Sequence, residues 1–127
     1  MRKALVATIA VLILACPAVA LAIMDTGIDL LKGCQAIVAV AEKRQVDAAT
    51  AGNALLCSGY LMGMIDAEKY LKDAGVNLFC LPNGGISTQQ AARIVLKYLN
   101  DHPEELHREP RTLVYLSLYN AYPCTNN

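Results

Sequence analysis

Apolar residues recur at helical intervals through most of the chain beyond residue 26, and polar capping residues mark where each run begins. Ile28, Leu31, Ile37, Val38 and Ala41 form the first such set. Thr26 and Asp29 precede it with the spacing of a capping box, in which a hydroxyl accepts the third amide and a carboxylate reaches back. A first helix ending near Arg44 is predicted. Asp47 suits the cap of a second helix, running from Ala48 to Lys72 and closed by Gly75 in a left-handed turn. Leu55, Leu56, Tyr60, Leu61, Met64, Ile65, Ala67 and Leu71 cannot share one face of it, so the second helix is expected to be the central one. Gly59, Gly63 and Ala67 recur every four residues along it. Each glycine costs about 0.5–1 kcal/mol relative to alanine inside a helix, so this smooth strip is expected to be offset by close packing of a neighbouring backbone.

Residues 75–85 are rich in turn formers and interrupted by Pro82, which predicts an ordered loop. Ser87 and Gln90 fit a second capping box, and Ala91, Ile94, Val95, Tyr98 and Leu99 supply the inward stripe of a third helix reaching His102. Pro103 stops that helix, and residues 103–106 suit one extra turn. A fourth helix starts at Pro110, extends from Arg111 to Tyr122 and is closed by Pro123. The expected fold is all-α: four helices in two hairpins, forming one small domain over residues 23–127.

The first 22 residues read differently. Met1-Arg2-Lys3 precedes an apolar stretch from Ala4 to Ala15 and then small residues, the pattern of a secretory signal peptide, with cleavage expected after Ala22 and Ala20 as an alternative. A loose lipobox ending at Cys16 offers a third route. The apolar core is shorter than the ~20 residues of a membrane-spanning helix, and no later window is expected to make up the shortfall, so no membrane association is expected after cleavage. Cleavage leaves nine basic and eleven acidic residues, a charge of −2 with no footprint for nucleic acid.

Four cysteines remain, Cys34, Cys57, Cys80 and Cys124, an even number in an oxidising compartment. Cys34 lies eleven residues before Gln45 and Cys57 eleven after Val46, so an antiparallel hairpin sets them at one level. Cys80 precedes the third helix and Cys124 follows the fourth. Two disulfides are therefore expected, Cys34–Cys57 and Cys80–Cys124. The absence of a CxxC pair argues against a thiol oxidoreductase.

Little else suggests chemistry. Asp66 has no partner carboxylate at a defined spacing, and Pro103 separates His102 from His107, so they do not share the i, i+4 face that would hold one ion. No catalytic residue, cofactor or metal is expected. Tyr115, Tyr119 and Tyr122 recur at helical spacing and offer either core packing or a contact surface.

The ordered set Cys57-Ser58-Gly59-Tyr60-Leu61-Met62-Gly63, Phe79-Cys80-Leu81-Pro82, Gln89-Gln90, Tyr98-Leu99, His102-Pro103-Glu104, His107 and Tyr122-Pro123-Cys124 resembles the Rap/Tai family of immunity proteins. That resemblance spans about Leu30 to Cys124. It implies a non-enzymatic helical protein of the Gram-negative periplasm, acting as a homodimer. It further implies binding to a type VI secretion amidase effector and occlusion of its cysteine-dependent site, which protects sister cells. Within that frame the contact is expected at Asn83, Gly84, Gly85 and Ser87, in a loop shaped by a disulfide at Cys80 and a cap at Ser87. Glu104, Glu105 and Glu109 are a second expected contact, offering negative charge to a basic cleft. The competing readings are a small periplasmic disulfide-bonded chaperone and an orphan homologue without a cognate effector.

Overall fold

Thr26 opens the first helix, α1 (Gly27–Ala41), through the reciprocal bonds its spacing predicts. Its Oγ1 accepts from the Asp29 amide at 3.4 Å, while its own amide donates to Asp29 Oδ2 at 3.1 Å. The Thr26 hydroxyl also donates to that carboxylate, and this bond holds Asp29 below the usual carboxylate range. α1 stops three residues short of Arg44. Lys43 turns left-handed at φ 55°, and the Arg44 amide closes back on the Ala39 carbonyl at 3.0 Å.

The computed structural model describes residues 24–124; the segment expected to be a signal peptide, the cleavage sites expected after Ala20 or Ala22, and Cys16 lie outside them. α2 (Ala48–Asp73) is capped by Asp47, whose carboxylate accepts from the Thr50 amide at 2.7 Å, and ends with Gly75 at φ +83°. α3 (Thr88–Asp101) and α4 (Pro110–Ala121) follow, with a single 3-10 turn over Pro103–Glu105 between them. Among the described residues the fold is all helix and turn, as the periodicity predicts.

The central helix is α1, not α2. α1 packs extensively on both α2 and α3 and also touches α4, whereas α2 rests chiefly on α1 and only lightly on α3 and α4. Only Ala54, Cys57, Leu61, Ile65 and Glu68 of α2 are buried, a single stripe, and Leu55 on another face is 77% exposed. Apolar residues all round α2 thus reflect two apolar faces, of which the domain buries one. By length and composition α2 is also apolar enough to cross a membrane, contrary to the expectation that no later window is. Its inner stripe is instead packed against α1.

Close approach depends on two α1 glycines that the spacing argument did not single out. A Cβ at Gly33 would lie 2.6 Å from Cys57 Cβ, and one at Gly27 would lie 2.5 Å from Leu113 Cδ1 and 2.8 Å from the Leu106 carbonyl oxygen. Gly33 seats α2, and Gly27 seats α4. Between these contacts Leu30, Leu61, Phe79, Leu99, Leu113 and Leu118 form the dry centre. Ser117 is buried among them, its hydroxyl donating to the Leu113 carbonyl at 2.6 Å.

The disulfide expectation is met at one end. Cys80 and Cys124 are bonded, with Cα atoms 4.9 Å apart, joining the segment before α3 to the one after α4. Cys34 and Cys57 stand at one level as expected, but as buried free thiols with their sulfurs 3.5 Å apart. Contact with Cys57, reinforced by burial, pushes the Cys34 thiol well above its ordinary pKa.

Candidate interaction surface

The segment between α2 and α3 is irregular backbone held at several points. Glu68, 4% exposed on the inner stripe of α2, accepts from the Leu78 amide at 3.3 Å. Phe79 is sunk in the core at 1% exposure. Cys80 adds its disulfide and donates its amide to the Tyr122 carbonyl at 2.9 Å. Beyond Cys80 the chain folds into a turn closed by the Gly85 amide on the Pro82 carbonyl at 2.7 Å, with Gly85 at φ +69°, a conformation that favours glycine. Ser87 then caps α3 by accepting from the Gln90 amide at 3.1 Å.

Gln90 does not complete the expected capping box. Its side-chain nitrogen donates to the Tyr122 hydroxyl at 3.0 Å, making another tie between the start of α3 and the end of α4. The tertiary partner offers a bond between chain ends, where the local one would only have closed a turn. Asn83, Gly84 and Ser87 are exposed and Gly85 is half-buried, so the tip of this clamped loop faces solvent. Beside it, Thr88 and Gln89 form one wall of an uncharged groove of about 400 Å³ whose apolar sides include Ile37, Val40 and Leu55.

The acidic set is arranged differently from the expectation. Glu105 is half-buried, accepts from the Tyr98 hydroxyl at 2.9 Å and pairs with Arg108 at 3.2 Å. Burial and this bond raise the pKa of Tyr98. Glu109 pairs with Arg111, which leaves Glu104 as the exposed member without such a partner among the described residues. These residues follow α3, whereas the loop precedes it, so the two expected contacts are separated by the length of that helix, about 20 Å at 1.5 Å per residue. His102 and His107 each place Nδ1 2.9 Å from a backbone carbonyl, of Tyr98 and Glu104, and the His102 ring stacks on Tyr98. Asp66 is exposed and paired with Lys69 at 3.1 Å.

The glycine strip requires a correction. Gly59, Gly63 and Ala67 are exposed, and a Cβ at either glycine would meet nothing within 4 Å among the described residues, so no backbone of residues 24–124 packs there. At 100° per residue the strip lies directly opposite Ala54, Leu61 and Ile65. Leu56 and Tyr70 bracket it, 37% and 77% exposed. Glu68 was the residue left unremarked by the sequence reading. Its place at i, i+4, i+7 with Leu61 and Ile65 was a legible signal that this carboxylate faces inward.

No curated protein and no solved structure matches the chain. Residues 26–124 match the family described as Rap1a immunity proteins, a span that takes in the four α-helices of the described residues, the clamped loop and the Cys80–Cys124 bond, and the chain therefore belongs to that family.

Proposed function

We propose that this protein neutralises a type VI secretion amidase effector in the periplasm by binding over its cysteine-dependent active site, without turnover of its own. The observation that carries this reading is the loop from Asn83 to Ser87, exposed at its tip and anchored through Glu68, Phe79, the Cys80–Cys124 bond and the Ser87 cap. A loop ordered before binding loses little conformational entropy when it enters a cleft. The adjoining groove beside Thr88 and Gln89 extends the same surface with uncharged, largely apolar area. Co-expression with candidate amidases tests the proposal: protection from lysis and co-purification are expected, and Asn83→Trp is expected to abolish both while leaving the fold intact. Unchanged protection by that variant would remove the loop from the interface, and lysis with every amidase would remove the function.

The outer stripe of α2 is the surface proposed for the homodimer. Reflected about Gly63 in an antiparallel pair, Leu56 comes level with Tyr70, Gly59 with Ala67, and Gly63 with its own copy. Bulky ends around a flat middle are self-complementary under a two-fold axis, which a contact between unlike surfaces does not require.

A further inference from the structure

We infer that Met24 is a gate over the buried Cys34–Cys57 pair: a disulfide oxidant reaches these sulfurs when the Met24 side chain lifts, while the bundle stays folded. Both cysteines are fully buried, at 0% exposure, so neither meets a reagent while every neighbour stays in place. Oxidation therefore needs a movement. One thiol attacks the oxidant's disulfide, forming a mixed disulfide and releasing one thiol; the second cysteine then displaces the other half as a thiol. Two electrons and two protons pass from the pair to the oxidant, and Cys34 and Cys57 are left bonded. The gate is independent of the proposed effector contact.

Gly33 locates the gate. A Cβ there would lie 3.1 Å from Cys57 Sγ and 3.3 Å from Met24 Cε, so the cysteine sulfur and the methionine methyl border the one small space left by the missing side chain. Met24 is half-buried and packs against the core cluster that contains both cysteines. Its side chain is unbranched and flexible, which suits it to fill an irregular gap without being locked there.

The helical neighbours of the pair are held more firmly. Leu30, Ile37, Ala54 and Leu61 flank the two cysteines along α1 and α2, where the hydrogen bonds of the helices fix their backbone. Met24 lies outside the helix, two residues before the Thr26 cap, and among the described residues no backbone–backbone hydrogen bond ties it. The chain is fixed only from Thr26 onward, by the capping box and by the Gly27 amide, which donates to the Arg108 carbonyl at 3.0 Å. A residue held by side-chain packing beyond a helix cap opens at a far lower free energy than the whole bundle.

The test uses Cys34→Ala, which leaves Cys57 as a single buried thiol beside an intact Cys80–Cys124 bond, and follows its reaction with 4,4′-dithiodipyridine by mass spectrometry of the Cys57 peptide. With Met24 in place, labelling is expected to be slow and nearly independent of urea well below the unfolding midpoint, because a local opening exposes little surface. Adding Met24→Ala is expected to accelerate labelling about tenfold or more, again without urea dependence, whereas Met24→Leu keeps the volume and is expected to stay near the starting rate. Met62→Ala, which removes a methionine 37% exposed on another face of α2, is expected to leave the rate unchanged. Labelling that climbs with urea in step with global unfolding while Met24 is present would overturn the gate, whatever the variants do. So would no acceleration in Met24→Ala, or an equal acceleration in Met24→Leu or Met62→Ala.

Discussion

The Cys34 and Cys57 sulfurs stand 3.5 Å apart in the core, and the backbone at Gly33 packs against the Cys57 side chain beside them. The contact that aligns the two thiols is therefore also a close approach between α1 and α2, one with no room for a Cβ at Gly33.

A disulfide sulfur separation is about 2.05 Å, so oxidation needs only a short closure of this pair. In protein recovered from an oxidising compartment, the pair is expected to be bonded; alkylation under denaturing, non-reducing conditions then labels neither cysteine. The bond is expected to stabilise by about 2–4 kcal/mol relative to the dithiol, measured by urea unfolding. In the reduced folded protein Cys34 is expected to resist alkylation, because contact with Cys57 and burial both disfavour its thiolate. Rapid labelling of Cys34 without unfolding would contradict this.

Glycines on the two faces of the hairpin are expected to respond in opposite directions. Gly33→Ala forces a methyl against Cys57 Cβ at 2.6 Å and is expected to destabilise by about 1–3 kcal/mol. Gly59→Ala meets open space and gains helix propensity, an expected stabilisation of about 0.5–1 kcal/mol in the monomer. Denaturant midpoints at low protein concentration compare the two.

Gly63→Arg tests the outer stripe as a dimer surface. Sedimentation is expected to change from dimer to monomer while the helical circular dichroism signal is preserved, since among the described residues nothing lies within 4 Å of a Cβ at Gly63 for the new side chain to displace. A wild-type protein that sediments as a monomer at all concentrations would rule the surface out.

Removal of the buried Glu68 carboxylate is expected to loosen the loop before it affects the bundle. Glu68→Ala leaves the Leu78 amide without its acceptor, at a cost of about 1–3 kcal/mol. Hydrogen exchange at Leu78 is expected to accelerate more than exchange in α3.

Acid sensitivity follows from Asp29. Its pKa in the folded state is depressed, chiefly by the Thr26 hydroxyl, so its stabilising contribution is complete above the ordinary value of 3.8 and is lost as the pH falls through the lower folded-state value. Thermal melts of Asp29→Asn are expected to show a shallower loss of stability in that acid range than the wild type, and a deficit of about 1 kcal/mol near neutrality from the weakened cap.

Helix identity and most helix boundaries were written locally, because caps and stops are decided by residues within one turn of each other. Thr26 with Asp29, Asp47, Ser87, Gly75 and Pro110 all act where their order in the chain places them. Pairing of the cysteines by level was legible for the same reason, since hairpin geometry converts equal residue counts into equal heights. The bonded state of Cys34 and Cys57 was not legible, because it depends on where two sulfurs come to rest.

What only the tertiary structure decided is which surfaces meet. Periodicity identifies apolar faces but not their partners, and α2 has two: one carries Ala54, Leu61 and Ile65 against α1, and the other carries Gly59 and Gly63 to solvent. Small residues permit close approach without compelling it, so Gly33 could be separated from Gly59 only by the packed neighbours around each. Likewise Gln90 bonds to Tyr122 and Glu105 to Tyr98, because a hydrogen bond forms with whichever partner the fold brings within reach. The order of residues from 24 to 124 determined four helices and most of their ends; long-range packing determined the centre, the clamped loop and the faces left open for other molecules.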